Sequence, residues 1–145
     1  MKFVAQRVTR AALSVNDVPV SEIGYGLVVY FGVKVGDTEK QAEKCMEKLA
    51  NLRIFEDDAG KMNRSVKDVN GEILFVSQFT LYADASHGNR PGFTDAEHPS
   101  KANPLYEYAA EYLAGLGVPV KKGVFGADMR IEQVNQGPVT IIYEI

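Results

Sequence analysis

The sequence holds a single cysteine and no tryptophan among its 145 residues. One thiol cannot form a disulfide within the chain, which excludes a disulfide-stapled scaffold and favours a reducing compartment. No apolar stretch approaches the ~20 residues that a membrane-spanning helix needs, and charged Lys2 and Arg7 interrupt any apolar segment that a signal peptide would require. We therefore expect a cytoplasmic protein without a membrane partner.

An excess of basic charge is also missing. Lysine and arginine total 16 against 19 aspartates and glutamates, a formal net charge of −3. This balance provides no broad positive field for nucleic acid, so we expect no DNA partner and only a local pocket for any RNA contact. Hydrophobic residues at 46% and charged residues at 24% are ordinary for a globular chain, and the length fits one domain over residues 1–145.

Turn signals and apolar patterns predict three strands in the first part of the chain, at 2–15, 18–23 and 27–35, with a turn at Asn16-Asp17. The run from Leu27 to Phe31 has no polar face, which predicts a place in the sheet interior. Next, Thr38 and Gln41 are spaced as a capping box. An amphipathic helix of about three turns should follow, because apolar side chains recur at helical spacing: Ala42, Cys45, Met46 and Leu49.

The second half of the chain predicts a strand from Glu72 to Leu81 and then an unusually long loop from Ala83 to Pro99. We expect a second helix in which Asn103 is the cap and Pro104 the first residue, ended by Gly117. Its apolar stripe would be Leu105, Tyr108, Ala109, Tyr112, Leu113 and Leu116. The last strands are predicted at 120–125, 128–134 and 139–145. Strands grouped at both ends around two helices indicate an α+β fold.

Three ionisable side chains that could serve as a nucleophile or as metal ligands are better explained by a structural role or by solvent exposure. Cys45 lies on the apolar stripe of the first helix, which favours a packed core thiol over a nucleophile. His87 and His98 fall in the long loop near acidic residues, but their spacing matches no metal-ligand pattern. We interpret both as solvated loop residues and expect neither a metal nor a cofactor.

Arg7 is in phase with the apolar residues of the first strand, where a charge is rarely buried without a partner. Two interpretations stay open. One is a bulge that reverses the phase, or a plain salt bridge. The other is a guanidinium that holds a neighbouring loop in place.

The segment Ser77-Gln78-Phe79-Thr80-Leu81 places polar groups where an apolar strand meets the long loop, a common location for an active site. A Thr80 nucleophile would need an adjacent base, and no side chain at a suitable spacing provides one. Backbone N–H groups here could instead form an oxyanion hole. Taken alone, the segment is better explained as a strand end followed by a turn.

The segment Asn135-Gln136-Gly137-Pro138-Val139-Thr140 joins two predicted strands. A tight, hairpin-like turn is therefore expected, and a cis proline fits a type VI turn. An ordinary turn is the simpler interpretation.

Together the two segments resemble the paired signature motifs of the D-aminoacyl-tRNA deacylases. The resemblance extends along the whole chain, through Gln6-Arg7-Val8, Asn51 to Asp57, Leu81 to Asp84, Arg90-Pro91 and Gly126 to Met129. It implies a mostly antiparallel, barrel-like sheet with two helices. It also implies a cytosolic homodimer, without a cofactor, that hydrolyses the ester between a D-amino acid and the terminal adenosine of tRNA. Such a reaction serves translation quality control.

The resemblance also assigns roles to residues. Gly137 and Pro138, joined by a cis bond and flanked by Asn135, would contact the substrate in the opposite subunit and exclude L-amino acids, while glycine would not be excluded. Ser77, Gln78, Phe79 and Thr80 would line that subunit's pocket, with the Phe79 and Thr80 amides stabilising the oxyanion. Arg7 would hold the Gly-Pro pair in place. Candidate tRNA contacts are Lys121-Lys122, Arg90 and Arg10.

Two alternatives remain. The first is a sister deacylase with a trans Gly-Pro bond that acts on a small L-aminoacyl-tRNA. The second is a non-catalytic dimeric RNA-binding module, suggested by a polar strand end that lacks a base or a metal.

Overall fold

A sheet of six strands, with two helices packed on one of its faces, forms the body of the molecule. The computed structural model describes residues 1–145. The helices are α1 (Glu39–Ala50) and α2 (Pro99–Gly115). The strands are β1 (Lys2–Val15), β2 (Val18–Ile23), β3 (Gly26–Gly32), β4 (Phe55–Glu56), β5 (Met62–Arg64), β6 (Glu72–Ser77), β7 (Val120–Lys122) and β8 (Met129–Glu144). Neither helix is long and apolar enough to cross a membrane.

Strand β1 organises the sheet. It pairs antiparallel with β3 through its first half, with β2 through its second half, and with β8 along almost its whole length. Strands β3, β6 and β7 continue the sheet in parallel pairs. The Ser21 hydroxyl of β2 donates to the Lys122 carbonyl of β7 at 2.6 Å, so the two ends of the sheet nearly meet. The predicted α+β class with a mostly antiparallel, barrel-like sheet is confirmed.

Two apolar cores lie on the two faces of the sheet. Leu27, Val29 and Phe31 face the helices, and Val28 belongs to the cluster inside the barrel. This alternation follows from the two-residue period of a strand. Both faces are covered, which explains why this run lacks a polar face, and its predicted interior position is confirmed.

Helix α1 forms as predicted. Thr38 and Gln41 make the capping box, and the predicted apolar residues are all buried. Cys45 has no exposed surface, and its burial raises the pKa of the thiol to about 12. The interpretation of Cys45 as a core thiol is therefore confirmed.

Helix α2 begins earlier than predicted. His98, not Asn103, is its N-cap, and Pro104 lies inside the helix. The N–H of Glu97 donates to the Val33 carbonyl at 3.0 Å, which holds the preceding chain against the end of β3 and brings the helix start forward. The buried face shifts accordingly, to Ala102, Tyr106, Ala109, Ala110 and Leu113. Gly117, with φ +87°, follows the helix end as predicted.

The predicted turn at residues 135–140 is wrong. Residues 129–144 form one strand, in which Asn135 lies opposite Val8 and Thr140 opposite Gln6 of β1. Residues 136–139 therefore bulge out without ladder partners, and we call them the Gly-Pro bulge. The chain does not reverse, because both halves of β8 pair with the same long strand. A proline has no N–H for the ladder, which favours a bulge at this position.

Three other strands are shorter than predicted. The strand expected at 27–35 ends at Gly32. The strand expected to reach Leu81 ends at Ser77, and Phe79–Tyr82 wind into a 3₁₀ turn. The strand expected to reach Phe125 ends at Lys122.

Candidate active site

The 3₁₀ turn leaves two backbone donors free at the end of β6. The Gln78 N–H donates to the Phe31 carbonyl at 2.8 Å, and the Leu81 N–H donates to the Gln78 carbonyl at 3.3 Å. Between them, the N–H groups of Phe79 and Thr80 have no acceptor within the chain. Both N–H groups belong to the segment 77–81 that the sequence analysis singled out, and they are available to an external oxygen.

A cavity of about 740 Å³ opens beside this turn. Its volume lies within the ~300–1,000 Å³ of small-molecule sites. Most of its lining is apolar, and Ser77, Gln78 and Phe79 form part of the wall. Phe79 and Phe93 pack edge to face at the cavity, with ring centroids 5.1 Å apart. Such a wall suits a flat, aromatic group that also needs a few polar contacts.

Thr80 is exposed, and it does not line this cavity. Its hydroxyl accepts from the Gln78 side-chain amide, with Nε2 and Oγ1 2.5 Å apart. An amide N–H cannot take a proton from the hydroxyl, and no carboxylate, amine or imidazole is hydrogen-bonded to it. The arrangement therefore lacks the base that a threonine nucleophile requires.

The two histidines have the ordinary surroundings of loop residues. His87 is exposed, and His98 caps α2, with Nδ1 accepting from the Ser100 N–H at 3.3 Å. No group of three or more metal-ligating side chains is present in the chain.

Arg7 lies beneath the Gly-Pro bulge and is only 4% exposed. Its Nη1 donates to the Ile54 carbonyl at 2.8 Å, and its Nε donates to the Gln136 carbonyl at 3.3 Å. The Glu56 carboxylate lies 3.6 Å from Nη2. Both open interpretations therefore apply in part, because the guanidinium makes an ion pair and also contacts the neighbouring loop.

The bulge itself is exposed at Gly137 and Pro138. Their peptide bond is cis, and Gly137 has φ +121°. A Cβ atom at Gly137 would lie 2.9 Å from the Val139 nitrogen and 3.3 Å from Arg7 Nη2. Glycine is required here, because the conformation and the space both oppose a side chain.

Within one chain, the bulge is far from the 3₁₀ turn, although Met129 and Ile131 of β8, the strand that carries the bulge, also line the cavity. Ser77 lies beside Phe31 of β3, which lies opposite Phe3 of β1, whereas the bulge lies opposite Arg7. Four residues of strand span ~13 Å, and three strand spacings of ~4.8 Å separate β6 from β8. None of the four residues at and around the bulge lines the cavity: Arg7, Asn135, Gly137 and Pro138.

The basic residues differ in their ion pairing. Lys121 pairs with Glu72, and Lys122 pairs with Glu107, whereas Arg10 and Arg90 have no carboxylate partner. Sequence reading missed a row of three exposed lysines on α1 that also make no ion pair: Lys40, Lys44 and Lys48. Their spacing of four residues was the available signal, since it places them on one helix face.

The similarity to known proteins extends over almost the whole chain. Residues 4–144 match the model of the D-Tyr-tRNA(Tyr) deacylase family. A D-aminoacyl-tRNA deacylase of Limosilactobacillus reuteri is 51% identical over 144 residues, covering 99% of each chain. A solved structure titled c-Myc DNA Unwinding Element Binding Protein is 43% identical, with a TM-score of 0.95 over 100% of this chain and 99% of that one.

A second solved structure is that of a probable eukaryotic D-amino acid tRNA deacylase. It is 20% identical, with a TM-score of 0.84 over 99% of this chain and 98% of that one, and it shows the fold alone. The barrel-like sheet with two helices on one face is thus a fold shared with tRNA deacylases. The chain belongs to the D-Tyr-tRNA(Tyr) deacylase family, as the resemblance of its two motifs predicted.

Proposed function

We propose that this protein is an esterase of the cytoplasm that releases D-amino acids from D-aminoacyl-tRNA, and glycine from glycyl-tRNA, in translation quality control. The observation that carries this proposal is the pair of free N–H groups at Phe79 and Thr80 beside an apolar cavity of about 740 Å³. Family membership provides independent support for the activity.

In this proposal the cavity holds the terminal adenosine of the tRNA. The aromatic edge of Phe79 and Phe93 offers a surface on which a base can stack, a contact worth ~1–3 kcal/mol per base. The ester carbonyl then lies at the 3₁₀ turn, where the side chains of Ser77 and Gln78 add polar contacts.

The reaction needs little side-chain chemistry. Water attacks the ester carbonyl, assisted by the ribose hydroxyl next to the ester. The carbonyl oxygen acquires negative charge in the tetrahedral intermediate, and the N–H groups of Phe79 and Thr80 stabilise that charge. The C–O bond to the ribose then breaks, and the ribose oxygen takes up the proton that the attacking water has lost. One preorganised oxyanion donor is worth ~10²–10³ in rate, so the two N–H groups supply a large part of the rate acceleration in this proposal.

Selection against L-amino acids is assigned to the Gly-Pro bulge of a second copy of the chain. The separation of the bulge from the 3₁₀ turn within one chain supports this assignment. Strand β8 has a free outer edge and exposes the apolar side chains of Val134 and Ile142, which supports a homodimer. Backbone at Gly137 and Pro138 occupies the place of an L side chain, and backbone cannot rotate away. Asn135 lies next to this wall.

For tRNA itself, we propose contacts through cations that the family resemblance or their spacing on one helix face singles out and that also lack a carboxylate partner. Arg10, Arg90 and the α1 lysine row (Lys40, Lys44 and Lys48) meet this condition. Lys121 and Lys122 are weaker candidates, because Glu72 and Glu107 already neutralise them. A small set of phosphate contacts is compatible with the net charge of −3.

The test is a deacylation assay at enzyme concentrations far below those of four substrates: D-Tyr-tRNA, L-Tyr-tRNA, Gly-tRNA and L-Ala-tRNA. We expect many turnovers with D-Tyr-tRNA and Gly-tRNA and none above background with L-Tyr-tRNA. Faster cleavage of L-Ala-tRNA would instead identify the sister deacylase. Binding without turnover of any substrate would identify the non-catalytic RNA-binding module.

A further inference from the structure

A chain of side-chain hydrogen bonds crosses the sheet beside the Gly-Pro bulge. The Tyr30 hydroxyl of β3 donates to Gln133 Oε1 of β8 at 3.2 Å. Gln133 Nε2 donates to Gln6 Oε1 of β1 at 2.8 Å and to Asn135 Oδ1 at 2.7 Å. Gln6 Nε2 then donates to Thr140 Oγ1 at 3.2 Å. Three strands thus share one polar network.

The amides of the network are oriented consistently with one another. The Gln133 amide accepts from Tyr30 with its oxygen and donates twice with its nitrogen. Reversing this amide would place its oxygen against the amide oxygens of Gln6 and Asn135, where no hydrogen bond can form. The orientations of the Gln133, Gln6 and Asn135 amides are therefore coupled to one another, whereas the Tyr30 hydroxyl can donate or accept and sets none of them.

The network ends on the two residues that frame the bulge. Asn135 is the last residue before residues 136–139, and Thr140 is the first residue after them. Gln6 is linked to Thr140 directly and to Asn135 through Gln133. A single side chain of β1 thereby connects both ends of the bulge.

The network and Arg7 hold the bulge from opposite faces of the sheet. Successive residues of a strand point to opposite faces, so the side chains of Gln6 and Arg7 diverge. Arg7 donates to the carbonyl of Gln136, the first residue of the bulge, whereas Gln6 contacts Thr140 directly and Asn135 through Gln133. These contacts are complementary, and neither replaces the other.

We propose that Gln6 is a positioning residue for chiral selection, held in place by its hydrogen bond to Gln133, which also contacts Tyr30. This inference rests on the proposed function, because it assumes that the bulge is the wall that excludes L-amino acids. Loss of the network leaves the two ends of the bulge held only by the backbone pairing of β8 with β1, so the wall shifts. L-aminoacyl esters then gain access, and D-aminoacyl esters lose part of their alignment.

The experiment compares Gln6→Met with the unmodified protein. Methionine keeps the side-chain length and removes both polar groups. The readout is the ratio of kcat/KM for D-Tyr-tRNA to that for L-Tyr-tRNA, measured with the full-length protein. We expect this ratio to fall at least about tenfold, since a displacement of ~1 Å in a site can change rates by up to ~10²-fold.

The matched control is Gln41→Met, which removes the capping box of α1 and touches no residue of the network. It should lower the melting temperature and leave the D/L ratio unchanged. If Gln6→Met does not fold, Gln133→Met provides the same measurement from β8. An unchanged ratio in both network variants, or an equal fall in Gln41→Met, would overturn the inference. A lack of D/L selectivity in the unmodified protein would instead refute the proposed function.

Discussion

The two segments of the candidate site are built in opposite ways. The Phe79–Tyr82 turn follows a strand that ends, and its free N–H groups result from local backbone conformation. The Gly-Pro bulge interrupts a strand that continues, and distant side chains hold it, above all Arg7 and Gln6. In the proposed function, local backbone therefore supports the chemistry, and long-range contacts support the selectivity.

The largest expected effect concerns the backbone donor at Thr80. Replacing the amide of this residue by an ester, through its α-hydroxy acid analogue, removes the N–H and keeps the side chain. We expect kcat to fall by ~10²–10³ with little change in KM, since one oxyanion donor is lost. Single-turnover deacylation of D-Tyr-tRNA measures the effect. Full activity of the ester variant would show that this turn does not carry the chemistry.

Arg7→Met tests the other side of the comparison. The Ile54 carbonyl loses its guanidinium donor, so the free energy of unfolding should fall by about 1–3 kcal/mol in a denaturant titration. The D/L ratio should fall as well, while adenosine binding at the cavity beside the 3₁₀ turn is retained. Arg7→Lys keeps the charge but replaces the separate Nε and Nη1 donors with a single nitrogen, so it should rescue only part of the loss. Equal weakening of adenosine binding would contradict the separation of the two segments.

The α1 lysine row provides a smaller effect. In Lys40→Gln/Lys44→Gln/Lys48→Gln, KM for aminoacyl-tRNA should rise and its dependence on log salt should become shallower by about 2, at ~0.7–0.9 per lost phosphate contact. Turnover of D-tyrosyl-adenosine, which lacks the stem, should not change. Lys61→Gln/Lys67→Gln removes exposed cations elsewhere and serves as the control. Equal effects per charge in the two variants would argue against a specific tRNA contact.

The smallest effect is expected for Thr80→Ala. Without a base near the hydroxyl, its removal should change kcat by less than about threefold. This variant also serves as the side-chain counterpart of the Thr80 ester. An inactive Thr80→Ala protein that still binds tRNA would restore the threonine nucleophile as the better mechanism.

Sequence reasoning succeeded where neighbours along the chain decide the structure. The capping box of α1, the Asn16-Asp17 turn and the buried Leu27–Phe31 run depend on local pattern. It failed where distant partners decide. Strand β1 converts the expected turn at 135–140 into a bulge, and the end of β3 brings forward the start of α2.

The candidate site shows the same difference between features decided by neighbours along the chain and features decided by distant partners. The end of an apolar strand drew attention to residues 77–81, and the family resemblance then assigned Phe79 and Thr80 as backbone donors. Arg7 was singled out by a charge on an apolar phase. The role of Arg7 stayed open, because its carbonyl partners Ile54 and Gln136 are remote in sequence. Gln6 gave no signal of its own, since a half-buried glutamine on a strand is common.

The position of β1 also bears on local opening of the native protein. This strand is bonded to β2, β3 and β8, and its side chains contribute to both apolar cores. Its amide protons can meet solvent only when several neighbours separate together, so they should exchange with deuterium last of all. The exposed backbone of Gly137 should exchange early, although it is bonded to the same sheet through residues on either side.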